Sequence, residues 1–379
     1  MQRLQTLSVN YLTDSWKVRK VYPHPMHHLC SRICSFPPAI PDYFLEKFSK
    51  PGDIVFDPWS GKGTVPFEAL RKGRIGIGND KSPEAYILTY AKVKPVSYRI
   101  LEKYLLKLKS KMNKVKIKND FDELDKKASI FYSNSTFEQV LKLKQVIARQ
   151  NSKKGIFAKA IILSLLHGSS MNTFSLSCSH SYAMSPAYVL KYVKEHGLRR
   201  PKRDVIECIL NRAKYLLSEE MPKKQGLALK NDTTKIKMAD NSVDMILTSP
   251  PYFNVQTYAW ANWLRLWFLG FDHKQIRKTL MEKGSSQTYA EFMRQSLKEL
   301  YRVLKPGGRC FIVVGDVKRK SKGKIKILNT AEYLRPLCNE ANFTIDKIIR
   351  DTIPRQKKVN TYVNPEDGIK IERFIYMKK

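Results

Sequence analysis

Two short apolar runs, each halted by a polar turn, set the frame of the chain. Val243-Asp244-Met245-Ile246-Leu247 reads as a buried strand, and Thr248-Ser249-Pro250-Pro251-Tyr252 ends it, because two consecutive prolines cannot continue a ladder. Asp53 to Phe56 reads as a second strand, followed by Asp57-Pro58-Trp59-Ser60-Gly61-Lys62-Gly63-Thr64 and a helix-like stretch through Arg71. Arg74 to Asp80 predicts the next strand, and Ser82 to Lys92 a helix with Ser82 as N-cap and Pro83 in its first turn. Further strands are expected at Gly226 to Asp232, at Arg309 to Val314 after a helix that ends in Lys305-Pro306-Gly307-Gly308, and at Arg373 to Met377. Strands alternating with helices in this way predict an open α/β sheet, whose ligands sit at the carboxyl ends of its strands.

After Pro95 the alternation stops. From Tyr98 to Gln225 the pattern is helical: Tyr98 to Met112, a helix opened by the capping box Ser135-Thr136-Phe137-Glu138, Ile156 to Leu166, Pro186 to His196 before Gly197, and Asp204 to Leu217. Residues 98–225 are therefore expected to form a largely helical insertion, with 1–97 and 226–379 building the sheet domain. Tyr258, Trp260, Trp263 and Trp267 recur at helical spacing, a stripe that suits core packing.

The strand tips carry the candidate chemistry. A glycine-x-glycine turn between strand and helix lets a backbone approach a nucleoside closely. The phosphate loop is excluded, since Lys62 lies between the glycines, and the dinucleotide fingerprint lacks its third glycine, where Pro66 stands. Asp80, at the next strand tip, is placed to receive ribose hydroxyls or to cap the following helix. Around Ser249 the prolines fix the direction of their carbonyls, which accept only, and so suit an exocyclic amino group, while Tyr252 offers a face for a planar base.

These two motifs, in this order, resemble the S-adenosylmethionine-dependent amino-methyltransferases of DNA, and within them the N4-cytosine type. Asp57 to Thr64 is similar to that family's Asp-Pro-Phe-x-Gly-x-Gly-Thr loop, with Trp59 in place of Phe, and Thr248-Ser249-Pro250-Pro251-Tyr252 to its catalytic loop; adenine-N6 members mostly carry Asp or Asn instead of Ser249. The resemblance spans His24 to Asp80, Leu227 to Gly315 and Ile371 to Met377. It implies a Rossmann-like sheet, mostly parallel with an antiparallel final strand. It also implies S-adenosylmethionine held by His24, Asp57, Trp59, Gly61, Gly63, Thr64, Asp80 and Asp232, and amino-group methylation by Ser249, Pro250, Pro251 and Tyr252 on a base rotated out of the duplex. Asp232 is the expected acceptor for the adenine amino group, in preference to Asp240.

Charge fits a polyanionic partner. Over 379 residues, 69 basic against 34 acidic side chains give a formal net charge of +35. Arg199, Arg200 and Arg203, following the hydroxyl-rich Ser164 to Ser185 stretch with His167, Asn172, His180 and Tyr182, are candidates for reading DNA. Lys318, Arg319 and Lys320 begin a run too polar to pack, read as a solvated loop or a phosphate clamp. The six scattered cysteines suit a reducing cytoplasm, with association to the nucleoid through DNA, and no stretch has the ~20 apolar residues needed for a bilayer. His24 to Cys34 holds three histidines and two cysteines, but no second pair follows at zinc-finger spacing, so no metal is expected.

The expected function is site-specific cytosine-N4 methylation of double-stranded DNA, in the family's usual setting beside a separately encoded restriction endonuclease. Adenine-N6 methylation, RNA guanine-amino methylation and a non-enzymatic DNA-binding module are the alternatives.

Overall fold

The computed structural model describes residues 6–8, 23–32, 35–117, 120–168, 172–177, 185–253, 257–282, 284–321, 324–352 and 371–379. Ten strands are present among them: β1 Thr6–Ser8, β2 Ile54–Asp57, β3 Ile75–Asn79, β4 Leu227–Leu229, β5 Val243–Thr248, β6 Leu304–Gly315, β7 Val317–Ser321, β8 Lys324–Leu328, β9 Thr344–Thr352 and β10 Ile371–Lys378. Eight form one sheet in the order β1-β9-β10-β6-β5-β2-β3-β4. The run β4-β3-β2-β5-β6 is parallel, and β10 lies antiparallel between β6 and β9. The expected mostly parallel sheet with an antiparallel final strand is what the structure shows.

The order also locates the site. From β2 the chain moves outward through β3 and β4, then returns to the other side of β2 with β5. That reversal opens a crevice at the carboxyl ends of β2 and β5, which are Asp57 and Thr248. The helix Thr64–Arg71 packs tightly on β3, for a Cβ at Gly76 would lie 2.0 Å from the Pro66 carbonyl oxygen. Only glycine permits that approach.

Residues between β3 and β4 are helical, as expected, with helices at Tyr98–Met112, Glu123–Ser129, Asn134–Ile147, Lys153–Leu165, Pro186–Glu195 and Val205–Leu216. They share one continuous apolar core with the sheet's own helices. Leu101, Leu105, Phe157, Ile161 and Ile209 cluster with Phe67, Leu88 and Ala91. Trp263 and Trp267 join this core, so half of the aromatic stripe is packing, while Tyr258 is only partly buried and Trp260 stays 37 % exposed.

Three local expectations are corrected. The capping serine is Ser133, not Ser135: Ser133 has extended backbone and its hydroxyl accepts from the Thr136 amide, leaving Ser135 inside the first turn. The Lys318-Arg319-Lys320 stretch is a strand instead of a loop, since β7 and β8 form an antiparallel hairpin. Lys305 to Gly308 is an irregularity at the start of β6, where its register with β5 shifts. Among the described residues no helix is long and apolar enough to cross a membrane.

Candidate active site

Both motifs open onto a single cavity of about 380 Å³. Asp57, Trp59, Ser60, Gly61, Lys62 and Thr64 line it from the β2 side, Ser249 and Pro251 from the β5 side, and Asp80 and Asp232 from the β3 and β4 side.

The glycine loop is held by its backbone. Ser60 N–H donates to the Asn79 carbonyl at 2.8 Å, and Gly61 N–H to Asp80 Oδ2 at 2.9 Å. Gly61 and Gly63 have φ of +54° and +71°, and a Cβ at Gly63 would stand 2.9 Å from Thr89 Cα, so the turn requires glycine on both counts. Thr64 opens the helix that follows; it is 3 % exposed, and its Oγ1 has no hydrogen-bond partner among the described residues. A buried hydroxyl left this way costs ~1–3 kcal/mol unless a ligand supplies the partner. Beside the amides of a helix start, an anionic group such as a carboxylate fits it best.

The two loops are tied to each other. Thr248 Oγ1, fully buried, donates to Asp57 Oδ1 at 2.6 Å, and Trp59 N–H donates to the same oxygen at 3.2 Å. Burial pushes the Asp57 carboxyl up to about 7 against the pull of these two donors. Burial also raises Asp80, with Arg32 opposing, and Asp80 Oδ1 accepts from Ser82 N–H at 2.9 Å. Asp80 thus anchors both the glycine loop and the next turn while still lining the cavity. For Asp232, burial acts upward but is outweighed by Lys81 Nζ at 2.6 Å and by Thr234, leaving the carboxyl below its usual value.

Other expected residues lie elsewhere. His24 is not among the lining residues; it is 2 % exposed, its Nδ1 accepts from Met26 N–H, and its ring meets Phe67 edge-on at 5.2 Å. Arg32, Ser35 and Phe36 line the cavity in its stead. Tyr252 does not present a face to the cavity either. It is 6 % exposed, and its hydroxyl donates to Glu372 Oε1 at 3.0 Å, whose carboxyl burial raises to about 6. Pro250 is buried, and the Pro251 carbonyl accepts from Tyr289 Oη at 3.2 Å.

Arg199 is exposed, Arg200 donates its Nε to the Ile130 carbonyl, and Arg203 lines a separate cavity in the helical block. The side chains of Lys318, Arg319 and Lys320, together with His180, Tyr182 and Cys34, lie outside the described residues. No cluster of metal-ligating side chains occurs among those described.

Sequence reasoning missed several walls. Arg32 sits in the His24 to Cys34 stretch, where no metal is expected; its guanidinium donates to Glu84 at 3.2 Å and lies 5.6 Å from the Tyr258 ring. Burial opposes its charge, but Glu84 and Asp80 outweigh it and raise its pKa. Phe292 faces Trp59 at 6.1 Å, and Lys278 to Met281 close another side. A composition with an acid at each of the β2, β3 and β4 tips, glycines at the turn and flat walls is that of a nucleoside-type site on a doubly wound sheet.

The chain belongs to the DNA methylase family, whose model matches residues 3–92 and 243–377. Among curated proteins it is 23 % identical over 316 residues to the Type II methyltransferase M.BsoBI of Geobacillus stearothermophilus, across 76 % of this chain and 60 % of that protein. It is 26 % identical over 147 residues to the Type II methyltransferase M.MjaII of Methanocaldococcus jannaschii, across 37 % of this chain and 27 % of that one. The chain therefore spans under two thirds of the length of either relative. A SAM-dependent methyltransferase from Methanosarcina mazei matches in structure with a TM-score of 0.35 at 11 % identity, over 91 % of this chain and 98 % of its own.

Proposed function

We propose that this protein transfers a methyl group from S-adenosylmethionine to the exocyclic N4 amino group of cytosine in double-stranded DNA, as the modification partner of a separate restriction endonuclease. One observation carries the reading: the 2.6 Å Thr248–Asp57 hydrogen bond locks the glycine loop and the Ser249-Pro250-Pro251 turn onto the same cavity. Membership of the DNA methylase family and the Type II methyltransferase relatives support it.

The donor set fits the cofactor. Thr64 Oγ1 and the helix start would take its carboxylate, Asp80 its ribose hydroxyls and Asp232 its adenine amino group, with Trp59 and Phe292 as flat walls. When bound, it supplies a methyl group on a sulfonium. The chain supplies orientation. Ser249 Oγ and the Pro250 carbonyl accept the two amino hydrogens of the base, favouring a pyramidal nitrogen with its lone pair directed at the methyl group. Rotating the base out of the duplex costs a few kcal/mol. Phe36 and Tyr258, which line the same cavity, are the rings left to receive it, in place of the Tyr252 expected from sequence. Residues 1–97 and 226–379 serve as the catalytic unit and 98–225 as target recognition, in a cytoplasmic, nucleoid-associated enzyme.

The test is nucleoside analysis. Plasmid DNA incubated with the purified protein and isotope-labelled S-adenosylmethionine is digested and resolved by mass spectrometry. N4-methyldeoxycytidine is expected with the wild type and at least ~100-fold less with Ser249→Ala. N6-methyldeoxyadenosine would reassign the base, and no labelled nucleoside would refute the enzymatic reading.

A further inference from the structure

The helical block holds a second cavity, of about 730 Å³, between the helix Val205–Leu216 and the segment His28 to Ser31. It is larger than the cavity at the strand tips and more polar in its lining. One side chain within it points to a ligand. His167 is 8 % exposed, and its Nε2 has no hydrogen-bond partner among the described residues.

The state of that nitrogen follows from its neighbours. Ser175 Oγ lies 2.8 Å from His167 Nδ1 and 2.9 Å from the Leu176 carbonyl. A carbonyl cannot donate, so the single hydroxyl hydrogen goes to Leu176, and Ser175 accepts from Nδ1–H. Burial, helped by Arg265, holds the imidazole pKa down at about 4, so the ring is neutral near pH 7. Nε2 then carries a bare lone pair, and what it lacks is a donor.

Lys202, Arg203 and Arg212 line the same cavity. The carboxylates there are Asp204 and Glu207, and Asp204 is already met by Lys109 at 2.9 Å and by the amides of Ile206 and Glu207. Cations around a neutral acceptor match a nucleotide unit: a phosphate for the cations, and an amino or imino hydrogen on the base edge for Nε2. Position favours a nucleotide belonging to bound DNA. Ser31 lines this cavity and Arg32 the one at the strand tips, so neighbouring residues of one segment line both.

We propose that this cavity binds a nucleotide of the DNA next to the base being modified, with His167 Nε2 accepting from the base and Lys202, Arg203 and Arg212 facing its phosphate. This rests on the function proposed above, and gives the helical block a definite reading site.

The test uses His167→Phe and Lys202→Gln, neither of which touches the strand-tip cavity. Binding is measured for a fluorescent duplex by anisotropy and for the four deoxynucleoside 5′-monophosphates by calorimetry, with S-adenosylmethionine titrations as the check on folding. His167→Phe is expected to weaken duplex binding about two- to tenfold. Lys202→Gln should lower the slope of log K against log salt by about one. Losses confined to the monophosphate titrations would assign the cavity to a free nucleotide in place of DNA. Wild-type affinity in both arms, with cofactor binding intact, would overturn the proposal. Failure of the methylation reading shows separately, as absence of labelled nucleoside with the wild type.

Discussion

Replacing Thr248 by valine isolates the bond on which the site depends. Valine keeps the shape of the fully buried threonine side chain and removes only the hydroxyl that donates to Asp57 at 2.6 Å. The cost depends on the state of Asp57. A donor to an ionised carboxylate is worth ~1.5–3 kcal/mol and one to a neutral acid ~1 kcal/mol. Burial has already raised the folded Asp57 from its usual 3.8 to about 7. Folding therefore favours its protonated form, and stability from this group is full below pH 4 and falls as pH rises towards 7. Removing a donor that favours the charged form pushes the folded pKa further up, so the variant keeps losing ground above pH 7, where the wild type has levelled off. Urea unfolding without ligand should give a deficit of ~1 kcal/mol at pH 5.5, widening to ~2–3 kcal/mol at pH 8.5. An equal deficit at both pH values, or none, would refute the reasoning, because the hydroxyl would then not be bonded to a titrating carboxylate.

Three further substitutions probe other contacts. Thr64→Val removes a buried hydroxyl that lacks a partner in the free protein; S-adenosylmethionine affinity by calorimetry should fall about five- to tenfold while the melting temperature of the free protein holds or rises. Gly63→Ala places a methyl group 2.9 Å from Thr89 Cα at a φ of +71°, and should lose at least ~2 kcal/mol in denaturant melts together with cofactor binding. Tyr252→Phe deletes the donor to Glu372, whose folded pKa of about 6 is already raised by burial; that pKa should climb, with a stability loss of ~1 kcal/mol near pH 5 that grows above pH 6.

Features written in local chemistry were legible in the sequence. The prolines after Leu247 and the glycines after Asp57 mark strand ends whatever the rest of the chain does, and the structure ends β5 at Thr248 and β2 at Asp57. Tyr98–Met112 follows from its periodicity alone. What pairs across long separations was not legible. Phe292 and Trp59 are far apart in sequence and meet only because the sheet brings their elements together. Strand β9 is split from its partner β10 by a long connection, and its mixed residues give no strict alternation. The sequence suggests an open face at Tyr252 because it does not reveal that Glu372, on the last strand, stands 3.0 Å from its hydroxyl. Arg32 is not legible as a site residue because its partners Glu84 and Asp80, whose charge it balances, lie about fifty residues further along the chain.

Charge and cavity divide the proposed task. The formal +35 attracts any polyanion and, being independent of sequence, selects none. Within the strand-tip cavity the charges are largely spent on one another: Arg32 answers Glu84 and Asp80, and Lys81 answers Asp232 at 2.6 Å. Besides Lys62 and Lys278, what the cavity offers a base is neutral, namely Ser249 and aromatic walls. Under the proposed function, affinity for DNA and choice of base reside in different groups, and salt should weaken the first while leaving the identity of the methylated base unchanged.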